Sequence, residues 1–318
     1  MTGPEVFVLA RLAESLASAS RPFDLWTWPL RAARAAADRV ARGEAEVLWV
    51  DRDDPGQGLM LYAPSPGETA CFGYGCARLA GPWLPPEDQV RREAGAARLA
   101  ALAAGQARDR GDRLVTLKTG QDPAILRGLL AGGFVLAEIL TALTRDLALE
   151  LDSSGPPPGF IWLERGREEA ASLVEDLGDF FYDGHLRHDP KPGPEAARRI
   201  WRQAALDDLA GAADEAVILW DSAARRVAGL ATAKPGAPGL GDEEAVLSIL
   251  ALAEPYRGRG LGRPLLSELI RRLIGRINPP GRGRLRAETA AYNLPALALY
   301  QDLGFRPAPP LVALHLHL

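Results

Sequence analysis

The chain is poor in several residue types, and each shortage removes a class of structure. Two cysteines occur in 318 residues, Cys71 and Cys76, both in the first half. Two cannot staple a disulfide framework, and a structural zinc site needs more ligands than they supply. They read as small core residues, and no metal is expected. Lysine is nearly absent, but an Arg-for-Lys bias accompanies GC-rich coding, so arginine number is not read as function. The formal net charge of −4 offers no general attraction for a polyanion, so nucleic acid is not an expected partner. No run reaches the ~18 apolar residues that a membrane span requires, so no membrane association is expected. The segment Met1–Ala19 lacks an early basic cluster, and Glu5 and Glu14 interrupt its apolar positions. That is not the pattern of a secretory signal, and the expected location is the cytoplasm.

What is present describes an ordinary globular chain. Hydrophobic residues make up 47% and charged residues 25%, and the length suits two domains of roughly 150 residues. The strongest organisational feature is an internal repeat. Phe305 ends the phrase Tyr300-Gln301-Asp302-Leu303-Gly304-Phe305, and it stands 171 residues after Phe134, which ends Leu129-Leu130-Ala131-Gly132-Gly133-Phe134. The same offset pairs Arg113-Leu114 with Arg284-Leu285, Leu48-Trp49 with Leu219-Trp220, and Gly58-Leu59 with Gly229-Leu230. One register holding across separate blocks implies two copies of one fold, at 1–150 and 160–318. Between them lies Asp152-Ser153-Ser154-Gly155-Pro156-Pro157-Pro158-Gly159, which cannot continue a helix or a central strand.

In the second copy, periodicity predicts helices at 167–181 and 194–210, then a hairpin of strands at 216–220 and 227–233. A central strand follows at 245–253, a helix at 261–274, a strand at 284–289, a helix at 294–303, and a last strand at 311–318. In that last strand His315 and His317 share one face, read as exposed. The order predicts an α/β fold in which helices pack on the faces of a mixed sheet.

The central strand runs into Arg257-Gly258-Arg259-Gly260-Leu261-Gly262 and then a helix. Glycines let the backbone turn sharply and converge its N–H groups. The helix start adds unpaired donors and a partial positive charge, which together suit a pyrophosphate. Arg257, Arg259 and Arg263 add charge-assisted donors. Pro264 falls in the first helical turn, where its missing N–H matters little. A Walker loop needs Lys-Ser/Thr where this turn has Arg263-Pro264, and the dinucleotide fingerprint spaces its glycines differently. The same offset gives copy one Pro86-Glu87-Asp88-Gln89-Val90-Arg91, with no glycine and two carboxylates. It also places Leu129 at Tyr300 and Asp122 at Asn293, so copy one reads as degenerate and inactive. Trp26, Trp28 and Trp83 read as its core or interface residues.

The pattern Arg257-x-x-Gly260-x-Gly262 after an apolar strand resembles the coenzyme A motif of the GNAT acyltransferase superfamily. The phrase from Asn293 through Ala296 and Tyr300 to Gly304-Phe305 is similar to that superfamily's next motif. A narrower likeness links Phe180-Phe181-Tyr182-Asp183-Gly184-His185-Leu186-Arg187-His188-Asp189-Pro190 to the acceptor region of dTDP-fucosamine-type amino-sugar acetyltransferases. The resemblance implies a tandem enzyme whose second domain moves an acetyl group from acetyl-CoA, as cosubstrate, to a primary amine of a small molecule or peptide. It implies that the backbone near Leu250 and Leu252 stabilises the oxyanion, and that Tyr300 protonates the leaving thiolate. Asn293 either caps the following helix or also bonds the pantetheine arm; capping is the simpler role. For the general base the candidates are Glu244, acting through water, His185, or a water chain. The implied assembly is a monomer or weak homodimer. Two rivals stay open: an acyl-CoA sensor without activity, and a phosphate-binding α/β domain unrelated to coenzyme A.

Overall fold

The computed structural model describes residues 39–85, 88–148, 155–163, 170–177, 184–235, 244–276 and 283–318. Trp26, Trp28, Pro86, Glu87 and Phe180–Asp183 lie outside them. The chain order is β1 Glu46–Trp49, β2 Leu59–Pro64, α1 Pro66–Phe72, β3 Gly75–Trp83, α2 Gln89–Arg110, β4 Asp112–Gly120, α3 Pro123–Ala131 and β5 Val135–Asp146. Then come β6 Phe160–Leu163, α4 Ala170–Leu177, α5 His185–His188, α6 Gly193–Asp207, β7 Glu215–Asp221, β8 Arg226–Pro235 and β9 Glu244–Leu252. The chain closes with α7 Gly262–Arg276, β10 Arg284–Ala290, α8 Leu294–Asp302, β11 Arg306–Pro307 and β12 Leu311–His317. The repeat offset carries α8 onto α3 at both ends, and β12 onto residues 140–146 of β5. Strand β6 was not among the sequence-predicted elements; it pairs antiparallel with β7. Helix α6 continues through a π turn at Asp208–Ala212 that contains Gly211 at φ 127.

Two compact units result. The first holds the described residues up to Leu140 together with Pro309–Leu318; the second holds the described residues from Thr141 to Ala308. Each unit therefore contains a last strand written in the other copy. In the first unit β12 lies between β4 and β5, antiparallel to both. In the second, the end of β5 pairs with β11 through Leu143↔Pro307 and Thr144↔Arg306, and it neighbours β10. The cores follow the same division. Val312, Leu314 and Leu316 join the cluster around Tyr62, Leu99 and Leu117, whereas Leu143 and Leu147 join that around Ile218, Ile249 and Leu266. This placement corrects the reading of the last strand's histidines: His315 is buried, because its strand is interior and not at an edge.

Local chemistry explains the elements. Asp88 caps α2 by accepting from the N–H groups of Val90 and Arg91, and Gly111 ends it in the left-handed region. The buried side of α2 is a stripe of Ala96, Leu99, Ala100, Ala103 and Ala107, small enough for close approach to its neighbours. A Cβ on Gly128 of α3 would collide with the Glu93 carbonyl of α2, so that crossing requires glycine. Of the two cysteines, Cys76 is buried and its thiol is pushed up to about 12, first by loss of hydration. In the second unit, α7 packs on β7 and β8. Its buried Glu268 bonds Arg271 and Arg272, and Arg272 also reaches the buried Glu215.

Candidate active site

The second unit contains an opening in its own sheet. Strands β9 and β10 run parallel, but their pairing covers only Glu244↔Arg284, Leu285↔Ala245 and Arg286↔Val246. Beyond that point β9 continues to Leu252 and β10 to Ala290 without pairing to each other. Strand β9 stays fixed on its other side, antiparallel to β8 from Pro235↔Ala245 to Gly229↔Leu252. A shift of register on β9 between Ile249 and Leu247 leaves Ser248 without an opposite number. Such a bulge bends and twists a strand, and it lies just past the last β9–β10 pair. Successive backbone amides in a strand point to alternate sides, so part of the stretch from Leu247 to Leu252, including the predicted Leu250 and Leu252 region, presents amides to the gap.

At the open end of that gap the chain passes through a 3-10 turn, Glu254–Tyr256, and enters the glycine turn. Gly258 and Gly260 hold φ values of 71 and 75, where a side chain is strained. A Cβ at either would meet nothing within 4 Å, so the turn has free space above it. Residues 257–260 are exposed, Leu261 is buried beneath them, and α7 begins at Gly262. Among the described residues, the amides of Gly258, Arg259, Gly260 and Leu261 donate to no protein acceptor. Pro264 contributes no N–H, so the donors concentrate on the preceding residues.

The three arginines take different positions. Arg257 Nε donates to the Leu252 carbonyl at 3.0 Å, folding back over the end of β9. Arg259 places its guanidinium carbon 5.7 Å from the centre of the Tyr256 ring. Arg263 meets the Asp302 carboxylate at 3.3 Å, joining the starts of α7 and the end of α8. Gly262 faces Leu299 of α8, so α8 runs beside the glycine turn.

Helix α8 carries Tyr300, which is buried with its ring 5.3 Å from that of Phe305. Its hydroxyl has no hydrogen-bond partner among the described residues. Loss of hydration pushes its ionisation well above the ordinary phenol range, so it stays protonated throughout the neutral range. Asn293 Oδ1 accepts from the Ala296 N–H at 3.3 Å, and its Nδ2 donates to Thr289 Oγ1 at 3.0 Å. Asn293 thereby ties the start of α8 to the part of β10 past its last pair with β9.

The base candidates are spread out. Glu244 opens β9 opposite Arg284, at the paired end of the two strands. His185 starts α5, partly buried; the nearby Asp189 is buried and accepts from the Lys191 N–H at 2.9 Å. Sequence reasoning passed over Glu288, which stands on the part of β10 past its last pair with β9 and accepts from Arg286 Nε at 3.2 Å. Its signal was available, as the acidic residue inside Arg284-Leu285-Arg286-Ala287-Glu288-Thr289-Ala290.

The sequence profile of the acetyltransferase (GNAT) family matches residues 172–305. No curated protein matches the chain in sequence. Among solved structures, a tandem GNAT protein from the clavulanic acid biosynthesis pathway is similar at TM-score 0.55 and 18% identity, over 82% of this chain and 78% of that one. A GCN5-related N-acetyltransferase from Sphaerobacter thermophilus gives 0.58 at 15% identity, over 88% and 85%. A GCN5-related glucosamine N-acetyltransferase region of a fungal multi-domain β-N-acetylglucosaminidase gives 0.64 at 12% identity, over 98% of this chain and 37% of that one. At these identities the likeness is one of fold. Among the described residues no helix is long and apolar enough to cross a membrane. The acetyltransferase (GNAT) family profile thus matches residues 172–305, and over most of its length the chain shares the fold of these solved structures, one of them a tandem GNAT protein.

Proposed function

We propose that the second unit transfers an acetyl group from acetyl-CoA to a primary amine of a small molecule or peptide. The observation that carries this reading is the gap between β9 and β10, which opens past Val246 and Arg286 and ends at a glycine turn with unused amides. The diphosphate is held by the amides of residues 258–262 with Arg257, Arg259 and Arg263 around it. The pantetheine arm then lies along β9, where its amides replace a missing strand partner. As the amine attacks the thioester carbonyl, the carbonyl oxygen becomes an oxyanion, and an amide of β9 near Leu250–Leu252 donates to it. The C–N bond forms, the C–S bond breaks, and the sulfur leaves as a thiolate. Tyr300, protonated and with its hydroxyl unpartnered among the described residues, supplies the proton that the thiolate takes up. The amine must lose its own proton. Three candidates for taking it are Glu288 on β10 past its last pair with β9, Glu244 through water from the paired end, and His185 from α5.

Acceptor classes that suit this reading are an amino sugar nucleotide, to which the narrower likeness around His185 points, an aminoglycoside-like compound, a polyamine and a peptide N-terminus. A calorimetric titration with acetyl-CoA is the first test; absence of binding at millimolar ligand removes the proposal. Release of free coenzyme A with a panel of amines is the second. Binding without turnover on any amine, unaffected by Tyr300→Phe, marks a sensor in place of an enzyme. Among Glu244→Gln, Glu288→Gln and His185→Gln, the base is the residue whose loss removes the acid limb of the kcat/KM profile.

A further inference from the structure

Among the described residues nothing lies within 4 Å of where a Cβ would stand on Gly258 or Gly260, and both glycines have wide conformational freedom. A loop of that kind binds well only if something outside it fixes its path. Tyr256 stands immediately before the turn and is buried. Its ring meets Phe160 of β6 edge-on at 6.0 Å, and its hydroxyl donates to Asp221 Oδ2 at 2.9 Å. Asp221 ends β7, and its Oδ1 also accepts from the N–H groups of Ala223 and Ala224, both at 2.9 Å. These donors, the Ala224 amide first, hold the Asp221 carboxyl below its ordinary range, so it is ionised at neutral pH. The other face of the arrangement is Arg259, lying over the Tyr256 ring.

The first copy provides an internal comparison. The repeat offset places Val50 at Asp221, Pro85 at Tyr256 and Asp88 at Arg259. All three elements of the arrangement are lost together, in the copy that also lost the glycines. In the first unit those same residues, Val50, Pro85 and Asp88, line a cleft of about 760 Å³ with Arg91 and Gly95. Where the second unit has the anchored ring of Tyr256, the first has Pro85, which carries no ring hydroxyl.

We infer that Asp221 and Tyr256 are positioning residues for acetyl-CoA: their hydrogen bond pins the 3-10 turn to the β7–β8 hairpin, which fixes the path of the glycine turn and seats Arg259 on the diphosphate side. The inference rests on the proposed acetyl-CoA site. It assigns them no role in the chemistry, since the Tyr256 ring and hydroxyl are engaged by Phe160 of β6 and Asp221 of β7.

The test is calorimetric titration of acetyl-CoA into the full chain, with the wild type, Tyr256→Phe, Asp221→Asn and the double variant. Tyr256→Phe keeps the ring for Phe160 and Arg259 and removes only the hydroxyl. Each single change is expected to raise Kd roughly fivefold to tenfold, as loss of one typical intramolecular hydrogen bond does. Because the two act through one bond, the double variant binds no more weakly than the poorer single variant. Tyr256→Phe that melts earlier yet keeps the wild-type Kd shows a merely structural role and overturns the inference. So does Asp221→Asn that binds more tightly, which makes Asp221 a competitor for Arg259, or a double variant whose losses multiply. If Asp221→Asn does not fold, Tyr256→Phe alone decides. A wild type that binds no acetyl-CoA refutes the coenzyme site itself, a separate outcome.

Discussion

Leu143 and Leu314 occupy equivalent places in the repeat, yet each is buried in the unit of the other copy. Replacing either with alanine removes three carbon atoms from a side chain that is 1% and 0% exposed, respectively. Such truncations cost ~2–5 kcal/mol, because the lost transfer energy is joined by the cavity left behind. Taking about 3 kcal/mol, the opening equilibrium of the affected unit shifts by roughly a hundredfold. Hydrogen exchange followed by mass spectrometry reads that shift segment by segment. Leu314→Ala, close to the C-terminus, is expected to speed exchange in β3 and β4 of the first unit. Leu143→Ala, in the middle of the chain, is expected to speed it in β8 and β9 of the second. If Leu314→Ala loosens β8 and β9 while leaving β4 protected, the strands are not exchanged and the two cores are divided as the sequence order suggests.

Three further outcomes follow from the site and its support. Gly260→Asp places a side chain at φ 75 and a negative charge against the diphosphate; acetyl-CoA binding is expected to fall by more than about a hundredfold in calorimetry, since backbone strain alone costs ~1–2 kcal/mol. Tyr300→Phe keeps the ring against Phe305 and removes the proton donor, so kcat for coenzyme A release drops about a hundredfold, in line with general acid catalysis, while the acetyl-CoA Kd stays unchanged. The carboxyl of Glu268 sits below its ordinary range: burial pushes it up, but bonds from Arg271 and Arg272 outweigh that. A lowered folded value means stability that is present above the unfolded value near 4.5 and is lost as pH falls through the folded value. Thermal melting between pH 6 and pH 3 is therefore expected to fall less steeply in Glu268→Gln than in the wild type, and an unchanged slope refutes that account.

Much of the second unit was legible in the sequence because its signals are local. The apolar period of α7 and α8, the polar turn between β7 and β8, and the glycines at 258, 260 and 262 are each set by neighbours within a few residues. The repeat needed only the chain compared with itself, and α3 and α8 match at both ends. Alternation at Leu311–His317 identified a strand, but alternation says nothing about which sheet that strand enters. Pairing partners lie far apart in sequence, so the placement of β12 between β4 and β5, and the burial of His315 with it, were decided by tertiary structure. The same holds at the site. The glycine turn itself was readable, whereas the gap beside it exists because β9–β10 pairing stops after Val246 and Arg286, and no composition or spacing records where a ladder ends. The bond from Tyr256 to Asp221 spans thirty-five residues; only folding brings that hydroxyl to that carboxylate, just before the glycine turn.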